Sequence, residues 1–430
     1  MARSKGVIMN EQIKQRIAQL NNGEVPNGYE KTEFGIFPCD WVTDKRLQDI
    51  GTFGKGKGLP GDKLTSKGVP CVGYGDIYMK YNNFHFEKAK SFVDEETASE
   101  SQPIQKGTLL FTGTGETAEE IGKCVCYNGE ETIYAGGDII TFISNEVNPL
   151  FLVYQQYQDF SLRNKASFGQ GHSVVHIQRE NLEKLHVAYP KSTDEQSKIA
   201  EILMKWDKAI ELQEQYIQTL LSMKITYVDK FFCAPGEEKT KFDLLCKTAG
   251  EGGTPDTKKQ AYYDSEDVPF VKIEHLAEKY ITKIDSYISN LGLQKSGAWL
   301  VPKNCLIFSN GATIGEASIN KIPVATKQGI LGIVPSDVID VEYFYYLVKS
   351  KYFLSKVKKI TTKGTMCTAY LKDINRLSLF IHEKENQIKI AEILSSIDCL
   401  IEDEKRKVDL LKKQRKTLQQ YLLNGIVRVK

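Results

Sequence analysis

Several things are scarce in this chain of 430 residues. No apolar run approaches the roughly 20 residues that a membrane-spanning helix needs, so no membrane partner is expected. Residues 1–10 lack the apolar core of a secretory signal, and the expected location is the cytoplasm. The six histidines do not cluster, and the nine cysteines include no C-x-x-C pair. Cys124 and Cys126 come closest, one residue apart. A zinc site asks for paired ligands at fixed spacing, and a secreted scaffold asks for denser cysteines. These thiols therefore read as buried or incidental, and no metal is expected. An excess of charge of one sign is also missing: 57 Lys and Arg face 55 Asp and Glu, a formal net charge of +2. Nucleic-acid binders usually carry a basic excess, but only the contacting face has to be positive. Bulk charge leaves the partner open.

What is present suits two or three domains, with 41% hydrophobic and 26% charged residues. An internal repeat sets the architecture. Gln196-Ser197-Lys198-Ile199-Ala200-Glu201-Ile202-Leu203 recurs as Gln387-Ile388-Lys389-Ile390-Ala391-Glu392-Ile393-Leu394, with seven of eight positions identical at an offset of 191. Trp206-Asp207 and Ile397-Asp398 continue the register. Both copies open long amphipathic stretches, expected as helices over residues 193–232 and 384–423. Each helix is about 40 residues, roughly 60 Å.

In the first helix Ile199, Trp206, Leu220 and Tyr227 form one heptad line, and Ile202, Ala209, Tyr216 and Met223 a second. In the second helix Ile390, Ile397, Leu411 and Leu418 match the first line, and Ile393, Leu400 and Tyr421 the other. Leu203, Ile210, Ile217, Leu394, Ile401 and Val408 widen the stripe beyond a two-stranded seam. The extra width predicts packing against a globular domain or a partner protein. The expected seam and docking residues are Ile199, Ile202, Leu203, Trp206, Ile210, Leu220, Ile390, Ile393, Leu394, Ile397, Ile401 and Leu411. Whether the helices run parallel or antiparallel is not fixed by the pattern. A fainter match, Leu20-Asn21-Asn22-Gly23-Glu24-Val25 with Leu422-Leu423-Asn424-Gly425-Ile426-Val427, links the two ends, and Gly23 is a candidate helix C-cap. It suggests two quasi-circular halves.

The segments between the helices share a sparse skeleton. Val69-Pro70-Cys71-Val72 parallels Val268-Pro269-Phe270-Val271, and Lys106-Gly107-Thr108-Leu109-Leu110-Phe111 parallels Lys303-Asn304-Cys305-Leu306-Ile307-Phe308. Ala166-Ser167-Phe168-Gly169-Gln170-Gly171 occupies the place of Thr361-Thr362-Lys363-Gly364-Thr365. Short β-rich runs bounded by Gly, Pro and Asn predict mixed α/β domains on twisted sheets.

Near-motifs for catalysis are present. Residues 51–58 fit G-x-x-x-x-G-K, but Gly58 stands where the phosphate cradle needs Ser or Thr for Mg²⁺. A basic loop near a phosphate backbone and a solvated surface loop are the better readings. Phe111-Thr112-Gly113-Thr114-Gly115 resembles the F-x-G-x-G bend around S-adenosylmethionine, and Asn148-Pro149-Leu150-Phe151 resembles N-P-P-F, which grips a flipped adenine. Leu150 breaks that second motif, and the counterpart Phe308-Ser309-Asn310-Gly311 loses the first. A turn between strands explains both copies. Glu95-Glu96 and Glu130-Glu131 read as solvated surface.

A Trp-led strand, a variable segment, then Pro-x-x-x-x-x-Gln-x-x-Ile-Ala-x-Ile-Leu opening a long helix, all occurring twice, resembles the DNA specificity subunits of type I restriction-modification systems. Gly252-Gly253-Thr254-Pro255, Tyr262-Tyr263 and Gly311-Ala312-Thr313-Ile314-Gly315 fit that pattern, as does Asp40-Trp41. The first half departs from it at Gly113-Thr114-Gly115-Glu116. The resemblance implies an α+β fold: two mixed α/β target-recognition domains separated by two long helices forming a coiled coil, with an internal pseudo-two-fold repeat. The expected division is an N-terminal helix and lead-in over 1–40, recognition domains over 41–190 and 241–383, a spacer helix and linker over 191–240, and a second helix and tail over 384–430.

It further implies a non-catalytic subunit that binds double-stranded DNA, with one half-site per domain and the helices setting the gap. Two methyltransferase subunits and the restriction/translocase subunits are the implied partners, and they would carry S-adenosylmethionine, ATP and Mg. Side-chain chemistry supplies DNA-contact candidates: Lys55, Lys57, Lys63, Tyr74, Tyr78 and Lys80 in the first segment. In the second they are Lys258, Lys259, Tyr262, Lys272, Asn310, Lys327, Gln328 and Lys363. Two rivals stay open: a self-contained N6-adenine DNA methyltransferase, and a coiled-coil scaffold without DNA function.

Overall fold

The computed structural model describes residues 11–81, 83–171, 174–233, 238–311, 313–362 and 367–429. Two compact units emerge: Met1–Leu212 with Val408–Lys430, and Gln213–Lys407.

In the first unit a five-stranded sheet runs in the order Gly51–Lys55, Ile139–Ser144, Leu109–Thr112, Cys124–Tyr127, His85–Phe86. All neighbours are antiparallel except the outermost pair. A four-stranded sheet follows the order Ser91–Val93, Val69–Val72, Ile133–Ala135, Gln102–Ile104. The strand Leu109–Thr112 is buried at every position, which is why it reads as a continuous apolar run rather than an alternation. Its period of two still sorts the side chains. Leu110 and Val125 pack with Val72 and Ile133. Leu109, Phe111, Cys124 and Cys126 face Trp41, Phe151, Ile199, Leu203, Leu422 and Leu423. The two cysteines are thus core side chains, and burial raises both thiols, Cys126 to about 12.

The N-terminal helix α1 is Glu11–Asn21. Within the sheet segment lie α2 (Tyr74–Met79), α3 (Pro149–Gln155) and α4 (Asp159–Phe168), and the first long helix, α5, is Thr193–Cys233. In the second unit α6 is Val341–Lys349, α7 is Lys351–Ile360, and the second long helix, α8, is Lys384–Leu423. Both long helices appear where the heptads predicted them.

The second unit repeats both of the first unit's sheets strand for strand. Its sheets run Cys246–Glu251, Ile330–Pro335, Cys305–Ser309, Ala317–Asn320, Tyr280–Ile281 and Tyr287–Ile288, Val268–Val271, Val324–Thr326, Leu300–Val301. Leu306 and Phe308 face Phe232, Tyr343, Ile390 and Leu394, while Cys305 and Ile307 face Val271 and Val324.

The repeated Gln explains its own motif. Gln196 is buried; its Oε1 accepts from the backbone N of Asn148 at 2.7 Å and its Nε2 donates to Pro190 O at 2.9 Å. Gln387 is equally buried, accepts from Asp340 N at 2.8 Å and donates to Val338 O and His382 O. Asn148 and Asp340 are the N-caps of α3 and α6. One amide therefore ties the cap of a sheet-segment helix to the first turn of each long helix.

The seam of the long helices follows a 4–3 spacing. Ile199, Leu203, Ile210, Ile217 and Leu220 are buried, as are Ile390, Leu394, Ile397, Ile401 and Val408. Trp206 and Leu411 are half-buried at the intervening positions. This corrects the second of the two expected heptad lines. Ile202 is half-buried, Ala209 is exposed, and Tyr216, Met223, Ile393 and Leu400 are exposed large apolar side chains. A side chain one position further round is turned by about 100°, so Leu203 and Leu394 enter the seam and their predecessors cannot. Within the first unit Asp207 meets Arg415, and Ile199 and Leu203 share a core with Leu422 and Leu423. Within the second, Gln213 meets Glu404 and Lys224 meets Asp398. In each unit the two helical segments run antiparallel.

The faint match between the chain ends has a physical counterpart in the first unit. Gly23 and Gly425 both take positive φ, 78° and 66°, just past a helix end. The carbonyl of Gly425 accepts from Tyr29 Oη at 2.6 Å, that of Ile426 accepts from Arg16, and Arg428 bridges Asp40 and Glu195.

Replacing Gln387 with Leu keeps the volume but leaves Asp340 N–H and two carbonyls without their partner. The expected cost is about 2–4 kcal/mol, read as a lower denaturant midpoint with an unchanged m-value. An unaltered midpoint would show that the amide is dispensable.

Candidate nucleic-acid interface

Because strand direction alternates, the ends of Gly51–Lys55 and Leu109–Thr112 lie beside the start of Ile139–Ser144. The loops leaving that end of the sheet hold one another through the backbone. Gly56 N donates to Ile139 O at 2.8 Å, Gly137 N to Gly58 O at 3.1 Å, Gly113 N to Asp138 O at 2.8 Å, and Ile177 N to Gly113 O at 3.0 Å. The second unit repeats three of these four: Gly252 N to Ile330 O at 3.3 Å, Asn310 N to Gly329 O at 3.1 Å, and Ala369 N to Asn310 O at 2.9 Å. Glu251 adds a side-chain acceptor for Gly329 N at 2.7 Å.

Glycine is demanded by close approach. A Cβ on Gly56 would sit 1.9 Å from Gly136 O, and one on Gly252 would sit 1.9 Å from Thr326 O. Leu59, a non-glycine at φ 61°, is held there by its buried side chain, which packs with Cys71, Val93 and Ala98. This geometry also disposes of the phosphate-cradle motif. Gly51–Lys55 is itself a paired strand, and a 3₁₀ turn at Gly61–Lys63 follows the loop where that motif needs a helix. Asn148 accepts from Leu150 N and Phe151 N as an N-cap, and Phe111 and Thr112 end a core strand. Both methyltransferase-like motifs are therefore accounted for by local structure.

The structure gathers several of the expected contact residues at this end. Lys55, Lys57 and Lys63 are exposed along the first loop, and Lys258 and Lys259 along its counterpart. Gln328 is exposed and Lys327 half-buried on the turn that abuts Gly252. Tyr74 is exposed at the start of α2.

Others are drawn into the frame. Asn310 is fully buried, its amide donating to Ala369 O at 3.2 Å, so it braces the loops instead of facing outward. Tyr262 is buried beneath Lys259, whose Nζ lies 5.3 Å from its ring. Tyr78 Oη bonds Thr112 Oγ1 at 2.8 Å and Thr114 O at 3.1 Å, and burial raises its hydroxyl pKa. Lys80 is paired with buried Asp76 at 2.7 Å, whereas Lys272 keeps a half-exposed side chain, 3.8 Å from exposed Glu274. Lys363 lies outside the described residues.

Sequence reasoning missed three groups. Gln170 and His176 are exposed and pair through their backbones in both directions, 3.0 and 2.8 Å, beside Thr114. Thr362 and Thr368 occupy the matching place in the second unit. Helix α7 ends in exposed Lys358 and Lys359, shortly before Thr362. The run Lys356-Val357-Lys358-Lys359 was the available signal for that last group. Beside the loops of the first unit opens a cavity of about 710 Å³ lined by Tyr74, Tyr78, Thr114, Lys123, Tyr157 and Lys165. Lys165 is buried in its wall, donating to Gly122 O at 3.1 Å, and burial pulls its ammonium down to about 8.

A sheet end presenting exposed Lys, Gln, His and Thr from a rigid set of loops, occurring twice, suits contact with phosphates and base edges. The model of the type I restriction modification DNA specificity domain matches this chain twice, at residues 38–222 and 238–413. The chain belongs to that specificity family. Among curated members, it is 31% identical to the MjaIX specificity subunit of Methanocaldococcus jannaschii, over 38% of each chain. It is 23% identical to the putative MjaX specificity subunit of the same organism, covering 94% of this chain and 97% of that one. With the EcoR124I/EcoR124II specificity subunit of Escherichia coli it shares 24% identity over 39% of this chain and 45% of that one. Two solved structures share the specificity-family fold. One is the type I system S subunit from M. genitalium, with TM-score 0.54, 15% identity, and coverage of 93% of this chain and 97% of that one. The other comes from a study of type I complex assembly, with TM-score 0.61, 13% identity, and coverage of 94% and 100%.

Replacing Gly252 with Ala forces the turn carrying Lys327 and Gln328 away from its neighbour. Titration of a labelled target duplex, with partner subunits present, is expected to show at least about 10-fold weaker binding. Unchanged affinity would remove that turn from the interface.

Proposed function

We propose that this chain is the sequence-reading subunit of a type I restriction-modification complex, with residues 41–190 and 241–383 each reading one half of a bipartite double-stranded DNA site. The observation that carries this reading is the duplication of one backbone-bonded loop cluster with different side chains: Lys55, Lys57, Gln170 and His176 in one copy, and Lys258, Lys259, Gln328 and Thr362 in the other. An identical frame with divergent contacts is what two readers of unlike sequences require. The long helices α5 and α8 serve as the spacer that sets the gap.

The exposed apolar residues Tyr216, Met223, Ile393 and Leu400 supply the docking faces for two methyltransferase subunits, and restriction/translocase subunits join that complex. Chemistry belongs to the partners, which hold S-adenosylmethionine, ATP and Mg, in the cytoplasm.

The test is a methylome. The chain is co-expressed with its cognate methyltransferase subunit in a host without adenine methylation, and native DNA is sequenced. A split, asymmetric motif bearing N6-methyladenine only when both proteins are present is expected. Methylation by this chain alone, or none with both proteins folded, contradicts the reading.

Contacts to phosphate are separable from base readout by salt. Lys258→Ala with Lys259→Ala should lower affinity on all sequences and reduce the slope of log K against log salt by about 2. A slope equal to that of the parent excludes both lysines from the backbone contacts.

A further inference from the structure

Each unit contains a carboxylate at which three elements meet, buried in the first unit (Asp207) and half-buried in the second (Asp398), and nothing in the proposed reading uses it. In the first unit Tyr154, on α3, is fully buried and donates its hydroxyl to Asp207 Oδ2 at 2.6 Å. Asp207 belongs to the first long helix. From the second long helix Arg415 donates Nε to Asp207 Oδ1 at 2.8 Å and Nη2 to Oδ2 at 3.3 Å. Its guanidinium carbon lies 4.5 Å from the Phe84 ring and 5.3 Å from that of Tyr154. Gln419, next to Arg415 on the same face, donates to Tyr154 O at 3.2 Å and so closes the ring of contacts.

The second unit repeats this at the same offset. Tyr346, on α6, donates to Asp398 Oδ2 at 2.6 Å, and Lys224 Nζ approaches Asp398 Oδ1 at 2.5 Å. The helices have exchanged roles: here the second long helix gives the carboxylate and the first gives the cation. Lys279 takes the place of Phe84 and binds Tyr346 Oη at 2.9 Å, Ser395 Oγ at 2.8 Å and Glu342 at 2.8 Å.

Beyond these joints and the Gln196 and Gln387 ties at the helix starts, the buried contact between the long helices and the sheet segments is chiefly apolar packing, which is favourable but weakly directional. A buried carboxylate with donors from two elements is different. Charge-assisted bonds are short and angular, and a paired buried charge adds little net stability over an apolar isostere, so its best-attested use is to fix geometry. Burial and the adjacent carboxylate push both tyrosine hydroxyls far up, so they remain donors at any working pH.

We propose that Tyr154–Asp207–Arg415 and Tyr346–Asp398–Lys224 are positioning joints that fix the angle of each recognition domain on the helix segments of its own unit. Loosening a joint then widens the range of gap lengths that the complex accepts, while the half-site bases stay the same. This rests on the reading of α5 and α8 as the spacer. The joints hold the domains; they do not touch DNA.

The test uses the full chain in complex with its methyltransferase partner and a plasmid library carrying the two half-sites at every gap length around the native one. Methylation at each gap is counted by sequencing. The parent chain is expected to methylate one gap length. Tyr154→Phe, which deletes one hydroxyl and keeps the ring, is expected to raise methylation at neighbouring gaps, relative to the native gap, by roughly 10-fold. Arg415→Lys copies the cation of the second unit and should keep the parent profile. If Tyr154→Phe does not fold, Tyr346→Phe, at the less buried carboxylate, takes its place in the same assay. A uniform fall, or no change, across all gaps would assign the joints a structural role alone and overturn the proposal. A parent that methylates all gaps alike overturns the spacer reading itself, and the joints' role with it.

Discussion

Neither sheet segment can bury its inner face alone, and that constraint organises the molecule. The side chains of Leu109, Phe111, Cys124 and Cys126 share one cluster with Ile199, Leu203, Leu422 and Leu423, and Leu306 and Phe308 share theirs with Phe232, Ile390 and Leu394. The long helices are therefore not rods attached to finished domains. Each is a wall of two cores in succession, which is why the compact units cut both helices near their middles. A side chain such as Leu203 stabilises a sheet segment and the helix seam with the same buried surface.

Two polar devices sharpen that apolar contact. Gln196 and Gln387 fix where each long helix begins relative to a capped sheet-segment helix. Asp207 and Asp398, eleven residues further along each helix, bind a tyrosine from the sheet segment and a cation from the opposing helix. Both devices recur at the repeat offset, although the sheet segments themselves have diverged almost completely.

Much of this was legible in the sequence because helices announce themselves by period and repeats by identity. The ends of α5 and α8 came within a residue of the expected ones, since a 4–3 apolar spacing over some 40 residues has few alternative readings. The face buried was harder. Ile202 and Leu203 are adjacent and equally apolar, and only the opposing helix decides that Leu203 turns inward. The sheets were legible as a class but not in order, because strand pairing depends on contacts far apart in the chain. Of the expected contact residues, Lys55 and Lys258 lie exposed on the loops, whereas Asn310 and Tyr262 are buried, because an Asn or Tyr suited to a base edge is equally suited to a buried loop brace. Gln170 and His176 went unnoticed, since a single backbone bridge between two polar residues has no periodic pattern to betray it.

The closure of the first unit by both chain ends has a consequence for the order of events during synthesis. Residues of the second unit, 213–407, are contiguous, and all of them are synthesised before Leu422 and Leu423. The first unit has to wait. Its core lacks Leu422 and Leu423, and its lead-in lacks the carbonyls that Tyr29 and Arg16 engage, until the last residues emerge. The half of the protein that is translated first is thus the half that finishes folding last, with its apolar sheet face uncovered in the interval. A premature stop near the C-terminus would strip the opening unit rather than the closing one.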